Sequence, residues 1–455
     1  MEGIGKPLAV YFERRMARIL MLGIISGFPQ MLIGSSLSLW LKEDGLDRST
    51  IGWAGLIFAV YAFNFLWAPL VDRIRIPWLT NRIGHRRAWI VALQAVILAS
   101  LVAWSTVDPV ANLTAVIAVG LVIAIASATQ DIVVDALRIE QIGTAEGESM
   151  AAAAATAVVG WFTGFKLGGA VAFEVAELFQ RAGVADYWQS TFLVLGVVVI
   201  LCNIGLMSAA QAEEQRRVAA RLGLAGPTGE SGTLAAVGAW FVATVGGPLL
   251  SFFRRNGFAI AAAVLGFIFL FKIGEAFLGR MSLVFYNEVG FSKTDIAIYS
   301  KGLGWVTTVA FTVLGGLFAI RMGLIRAMFL SGIGMAATNL LFAALAWTGR
   351  SELLFAVAVV MDDLTSAFAT VTFVAFISML VDRTYTATQY ARRTIFAASS
   401  GMFVDWLGGA WGTFFVITTL MVIPSLLCLW AIRAKLRDML AGTSVRLFGK
   451  EPAAA

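Results

Sequence analysis

The segment Ala126-Ser127-Ala128-Thr129-Gln130-Asp131-Ile132-Val133-Val134-Asp135-Ala136 closes an apolar run that begins near Leu113. It reads as one half of a membrane-spanning helix, and it carries two acids. A carboxylate at mid-helix costs roughly 2.5–3.5 kcal/mol on insertion scales. Ser127, Asp131 and Asp135 recur at intervals of four, so they share one helical face. That face cannot meet lipid. It must meet polar groups or a water-filled cavity, and an acid so placed can carry a proton or line a solute path. Asp135 has a plainer use as well, pairing with Arg138 near the membrane surface.

Other intramembrane charges follow the same logic. Lys166, Lys272, Arg280 and Lys301 fall inside apolar runs. Lys301 and Arg280 are expected close enough to the outer surface to snorkel, whereas Lys166 and Lys272 are expected well inside. Asp131 is expected between an apolar wall and a lysine, a setting that lets a carboxyl exchange protons. Lys272 and Glu275 are three apart and can neutralise each other. Asp362, Thr365, Ser366 and Thr370 fall near one face of a later helix, beside Asp363, as a second polar stripe. Polar stripes on corresponding helices of two halves are what alternating access around a midplane site would show.

The elements that must position these groups are helices in a bilayer. Of 455 residues, 59% are hydrophobic and 14% charged, against about 25% charged in soluble domains. Apolar runs near 16–41, 51–71, 88–107, 113–136, 149–174, 188–209, 257–286, 295–320, 326–347, 352–381, 389–410 and 413–432 predict twelve spans. Basic residues concentrate in the even-numbered turns and both tails, which places both termini in the cytoplasm. The charged, Gly-containing stretch after the sixth span reads as a linker. Thr233–Leu250 is apolar, but spanning would carry later basic clusters outside, so it reads as an amphipathic helix on the membrane surface. The expected division is 1–210 for the first six-helix half, 211–256 for the linker, 257–434 for the second half and 435–455 for a cytoplasmic tail.

Several classes of chemistry find no support. Cys202 and Cys428 lie in apolar runs, and His85 is the only histidine, so no metal site is expected. No Walker-type phosphate loop is present, no nucleophile–base pair suggests an enzyme, and no cofactor is expected. His85 sits among Arg82, Arg86 and Arg87 and reads as a latch or lipid-surface residue. Gly23, Gly27 and Gly34, with Pro29, allow close helix packing or a local unwound turn in the first span.

Twelve spans, a long central loop and basic residues between the second and third helices resemble the major facilitator superfamily. Asp72-Arg73 with Gly84-His85-Arg86-Arg87 looks like a stretched form of its conserved loop. Within it, the chain is similar to the AmpG-type muropeptide permeases and their relatives, which include acetyl-coenzyme A transporters. The stretches that carry the likeness are GIISGFPQMLIGSSLSLWL from Gly23, FNFLWAPLVDR from Phe63, ASATQDIVVDALR from Ala126, FKIG from Phe271, GFSKTDI from Gly290, DDLTSAFATVTFVA from Asp362 and TATQYA from Thr386. Asn64 stands where many relatives have Lys, Asp362-Asp363 replaces Glu-Asn, and Glu275 replaces Asp.

The resemblance implies an all-α major facilitator fold of two six-helix halves in the inner membrane. It implies a proton-coupled, monomeric importer of anhydromuropeptides, with protons, a sugar-peptide and the bilayer as partners and no nucleic acid. Candidate proton-coupling acids are Asp131, Glu275, Asp362 and Asp363. Candidate substrate-binding residues are Gln130, Lys166, Lys272, Asn64, Tyr61, Trp161, Thr365 and Ser366. Asp72, Arg73, Arg86, Arg87 and Asp135 are the candidate latch. Two alternatives are a carrier of another large anionic solute, such as a siderophore or coenzyme A ester, and a non-transporting assembly factor.

Overall fold

A computed structural model describes residues 13–142, 147–206, 258–380, 394 and 396–448. Every regular element among them is helical. Among the described residues, eight helices are long and apolar enough to cross a membrane: Arg14–Glu43, His85–Trp104, Leu113–Arg138, Ala155–Arg181, Lys293–Ala319, Leu324–Thr348, Glu352–Phe373 and Trp411–Ala434. These match eight of the twelve expected spans.

The other four take other forms among the described residues. The second is broken by 3-10 turns at Gly55–Ala59 and Asn64–Leu66. The sixth is the apolar helix Tyr187–Leu206. The seventh is split between Phe258–Phe271 and Ile273–Val289, with Lys272 at the break. The eleventh falls partly outside the described residues, as do the 211–256 linker and TATQYA; its described part includes the helix Ser400–Trp406. The last helix, Ile423–Phe448, continues into the expected tail. Contacts divide the chain into two compact units: Met1–Gly229 with Tyr286–Trp305, and Glu230–Phe285 with Val306–Ala455.

In the first unit, glycines set how closely two helices approach. A Cβ on Gly23 would lie 2.5 Å from the Ala157 carbonyl oxygen, and one on Gly27 would lie 2.1 Å from that of Trp161. The relation is reciprocal. A Cβ on Gly160 would lie 2.3 Å from Leu20 O, and one on Gly164 the same distance from Ile24 O. Each helix thus carries a glycine pair spaced by four against the other's backbone, the small-residue packing that membrane helices use in place of a hydrophobic drive. Of the two uses open to Gly23 and Gly27, close packing is the one observed.

Among the described residues of this unit, three helices contain π-helical segments: Leu32–Ser36, Thr163–Leu167 and Ala297–Leu303. The first follows Pro29, which lacks the donor a regular turn needs. Such segments insert a residue into the helical register and recur at functional sites. Each of the three holds a polar or charged side chain: Ser35, Lys166 and Lys301.

The second unit is built on an aromatic core around Phe267, Phe271, Phe373 and Phe376. Phe271 and Phe373 stack with centroids 5.4 Å apart. Gly332 leaves room for the Phe271 ring, whose Cε2 would lie 2.9 Å from an added Cβ. This core anchors the chain immediately before Lys272.

The glycine contacts make a direct test. Gly160→Ala sets a methyl against a backbone oxygen that cannot rotate away, and should cost about 1–3 kcal/mol through overpacking. Gly266→Ala, at a helical site with nothing within 4 Å, should be neutral or slightly stabilising. Thermal unfolding of the two purified variants in one detergent should separate them by several degrees.

Candidate functional site

Asp131 lies on the helix Leu113–Ile142. Ser26 Oγ donates to its Oδ1 at 2.5 Å, and Gln30 Nε2 donates to its Oδ2 at 3.1 Å. Ser26 and Gln30 are one turn apart on the helix Arg14–Met31, so a single helical face supplies both donors. The lysine expected beside Asp131 is not its partner: among the described residues, its hydrogen bonds come from a hydroxyl and an amide. Lys166 instead donates to the Gly304 carbonyl at 2.8 Å.

The residues preceding Asp131 are fixed just as firmly. Gln130 is fully buried, donates to Ile25 O at 2.8 Å and accepts from Gln94 Nε2. Thr129 accepts from Trp67 Nε1 at 2.9 Å, and Asn64 Nδ2 donates to Ala128 O at 3.3 Å. Gln130 and Asn64 therefore hold the backbone near Asp131 in place. Ser127 is fully buried, and its hydroxyl has no hydrogen-bond partner among the described residues.

The face shared by Ser127, Asp131 and Asp135 thus runs from the interior to the surface. Asp135 is exposed and pairs with Arg138 at 3.0 Å, the plainer of its two readings. Among the other latch candidates, Arg87 is buried and Arg86 partly so. The side chains of Asp72 and Arg73 lie outside the described residues. His85 Nε2 donates to Val71 O at 3.0 Å, which ties this loop to the helix before it.

Two aromatic pairs lie in the same unit. Trp161 stacks on Phe165 with centroids 5.1 Å apart and planes 11° from parallel. Tyr61 stacks on Phe58 at 5.8 Å. Lys301 departs from its expected place. It is 6% exposed, donates to Ser35 Oγ at 2.7 Å, and lies 5.0 and 5.6 Å from the Phe165 and Phe173 ring centroids. It is a caged cation within the protein, not a snorkelling one. Arg280 is partly buried on the helix Ile273–Val289.

A second polar group lies toward the Glu43 end of the first unit. Lys293, also buried, pairs with Glu43 at 2.8 Å and Glu177 at 3.7 Å, and binds Gln180. Glu288 pairs with Lys42 at 2.5 Å and Arg48 at 2.8 Å. Ser292 and Asp295 form a reciprocal capping box at the start of the Lys293–Ile296 helix. Beside this group, burial and the neighbouring acids Asp108, Glu43 and Asp186 push the Asp44 carboxyl up to about 6.

In the second unit, Lys272 donates to Glu275 and, at 2.7 Å, to Thr370 Oγ1. Ser366 Oγ donates to the other Glu275 oxygen at 2.6 Å. Asp363 accepts from Thr307 at 2.6 Å and from Thr308 at 2.9 Å. Thr338 donates to Asp362 Oδ1 at 3.4 Å and lies 3.3 Å from Thr365 Oγ1. The stripe on Glu352–Leu380 is therefore engaged on several sides. Sequence reasoning missed Ser26, Gln30, Ser35 and the two threonines beside Asp363. The first two had a signal, polar residues spaced by four on an otherwise apolar face.

This is the construction of a multi-pass transporter: buried acids and cations held by hydroxyls and amides on closely packed helices. At the level of fold, the inward-open xylose transporter XylE from Escherichia coli aligns over 94% of this chain and 98% of its own, with a TM-score of 0.58 at 15% identity. Residues 19–404 match the Major Facilitator Superfamily. The protein named AmpG 4 in Rickettsia conorii is 30% identical over 94% of this chain and 98% of its own length. The anhydromuropeptide permease of Escherichia coli K12 is 29% identical over 94% of this chain and 82% of its own. The chain belongs to the major facilitator superfamily, among its AmpG-type permeases, and is a membrane transporter rather than an enzyme.

The Lys272–Glu275 pair can be tested by removing its partners singly and together. Breaking a buried pair from one side costs about 3–5 kcal/mol. Partial exposure of Glu275 places Lys272→Gln at or below the lower figure. The double variant Lys272→Gln with Glu275→Gln should recover most of the thermal stability. If it also restores full transport, Lys272 serves Glu275 alone and does not bind ligand.

Proposed function

We propose that this protein imports anhydromuropeptides, sugar-peptide fragments of the cell wall, across the inner membrane by alternating access coupled to protons. The observation that carries the substrate is the similarity, at 29% identity over 94% of the chain, to the anhydromuropeptide permease of Escherichia coli K12. Partly buried acids on helices in both units support coupling to an ion, and stacked aromatic pairs at Trp161 and Tyr61 offer faces on which sugar rings pack. The proposed orientation places both termini in the cytoplasm.

Asp131 is the proposed coupling acid. Its carboxylate is held by two neutral donors from one helix, so protonation changes both hydrogen bonds at once. Ser26 and Gln30 would then relay its state to the helix that carries the first π-helical segment. Glu275, Asp362 and Asp363 are each held by other side chains, and remain the proposed secondary acids. Asn64, Thr365 and Ser366 are proposed as polar lining, and Asp72, Arg73, Arg86, Arg87 and Asp135 as the inner latch.

In proteoliposomes loaded and diluted at equal pH, Asp131→Asn should still exchange labelled anhydromuropeptide. With an inward proton gradient it should fail to accumulate it, where the wild type concentrates it at least tenfold. Normal gradient-driven accumulation by Asp131→Asn would move the coupling role to one of the other acids. Orientation has its own check. A cysteine replacing Ala185 should react with a membrane-impermeant reagent added to whole spheroplasts, and one replacing Gly229 should react only after permeabilisation; the reverse pattern would invert the topology.

A further inference from the structure

The turn between the helices Ala68–Arg73 and His85–Trp104 carries charge and apolar surface that the transport reading does not use. From Leu70 to Ile90 the chain holds five arginines and one acid, Asp72. The first helix ends in extended backbone at Ile74, and Pro77 opens a separate short helix, Pro77–Ile83, at a position where its missing donor costs nothing. Three hydrogen bonds hold this element in place. Ile76 N donates to Thr80 Oγ1 at 3.1 Å, Trp89 Nε1 donates to Ile74 O at 2.9 Å, and the His85–Val71 bond closes the turn.

Its outer surface is apolar and basic at once. Leu70, Ile74 and Trp78 recur at intervals of four and are 54%, 51% and 64% exposed. Exposed apolar side chains are ordinary on a helix that spans lipid, but Pro77–Ile83 is far too short to span. An exposed tryptophan on such an element belongs at the level of the lipid headgroups. Arg75 and Arg82, one before this short helix and one near its end, are both exposed. Among the described residues, neither is paired with an acid. Arg82 lies over the Trp78 ring, with its Cζ 4.4 Å from the centroid. A guanidinium so placed keeps its N–H donors at its edge, where they can take phosphate oxygens.

Two cations without acid partners, an apolar strip and an interfacial ring fit a partner that is anionic at one end and apolar at the other. A phospholipid with a net negative headgroup has that form, whereas a free phosphate offers nothing to the strip. We propose that this surface docks an acidic phospholipid, with Arg75 and Arg82 on its phosphate oxygens and Leu70, Ile74 and Trp78 against the upper part of its acyl chains. The bonds from His85 and Trp89 join the docked segment to the helix His85–Trp104. The surface is independent of which solute the transporter carries.

The test is lipid binding to the purified full-length protein, measured by native mass spectrometry with equimolar phosphatidylglycerol and phosphatidylethanolamine of identical chains. The wild type should hold phosphatidylglycerol at least tenfold more tightly at its strongest site. Arg75→Gln and Arg82→Gln should each weaken that lipid about fivefold, the effect of one arginine near an anionic surface. The double variant should bring the two lipids to within threefold of each other, and exchanging both arginines for lysine should keep most of the preference. Trp78→Ala should weaken both lipids. Arg350→Gln, at an exposed arginine of the second unit, should change neither. Inorganic phosphate at millimolar concentration should leave the lipid bound. Equal binding of the two lipids by the wild type, or a preference that survives in the double glutamine variant, would overturn the proposal. Displacement of phosphatidylglycerol by inorganic phosphate would overturn it too, leaving a site for free anions only.

Discussion

Hydrocarbon offers no hydrogen bonds, so a charge placed in it must find its partners inside the protein. That constraint organises the polar residues of both units. In the first, Asp131 draws a hydroxyl and an amide from one helix, Lys166 takes a backbone carbonyl, and Lys301 takes a hydroxyl and two ring faces. In the second, Lys272 and Glu275 meet each other, and threonine hydroxyls close on Asp363. Groups settled by neutral donors keep a net charge that can change on protonation or ligand binding. A pair that is already neutral offers less to a ligand. This difference separates Asp131 from the Lys272–Glu275 pair.

Backbone packing makes those partnerships possible. Gly23 and Gly27 bring the helix Arg14–Met31 against the backbone of Gly147–Phe162 and the π-helical turn beyond it. Ser26 sits between those two glycines and faces Asp131 on a third helix. A shift of the first helix therefore moves the donors of Asp131. The π-helical turn after Pro29 lies one turn further along the same helix, with Ser35 at the Lys301 cage. The proposed proton-carrying group and the Lys301 side chain are thus joined by a single short stretch of backbone.

Much of this was legible in the sequence. The apolar runs gave eight spans that the structure contains, and the isolated acid at Asp131 marked its helix before any contact was known. Where the sequence reading failed, the cause was physical. Apolar content counts residues but not register, so the 3-10 turns at Gly55–Ala59 and Asn64–Leu66 left no trace in the second run. A π-helical insertion likewise leaves composition unchanged while turning every later side chain to a new direction. Lys301 was expected near the surface because distance along the chain was the only measure of depth; its cage is assembled from three separated segments. The absence of a lysine from the Asp131 site has the same origin, since partners are chosen by packing and not by proximity in sequence.

The central claim is that this transporter moves carboxylate-bearing sugar-peptides in response to a proton gradient. The most direct measurement is uptake of labelled anhydro-disaccharide tripeptide into proteoliposomes containing only this protein, with and without an inward proton gradient, challenged by an unlabelled coenzyme A ester or siderophore. The account predicts gradient-dependent accumulation that unlabelled anhydromuropeptide abolishes and the other solutes leave intact. Absence of uptake, uptake indifferent to the gradient, or complete displacement by the coenzyme A ester or siderophore would contradict it.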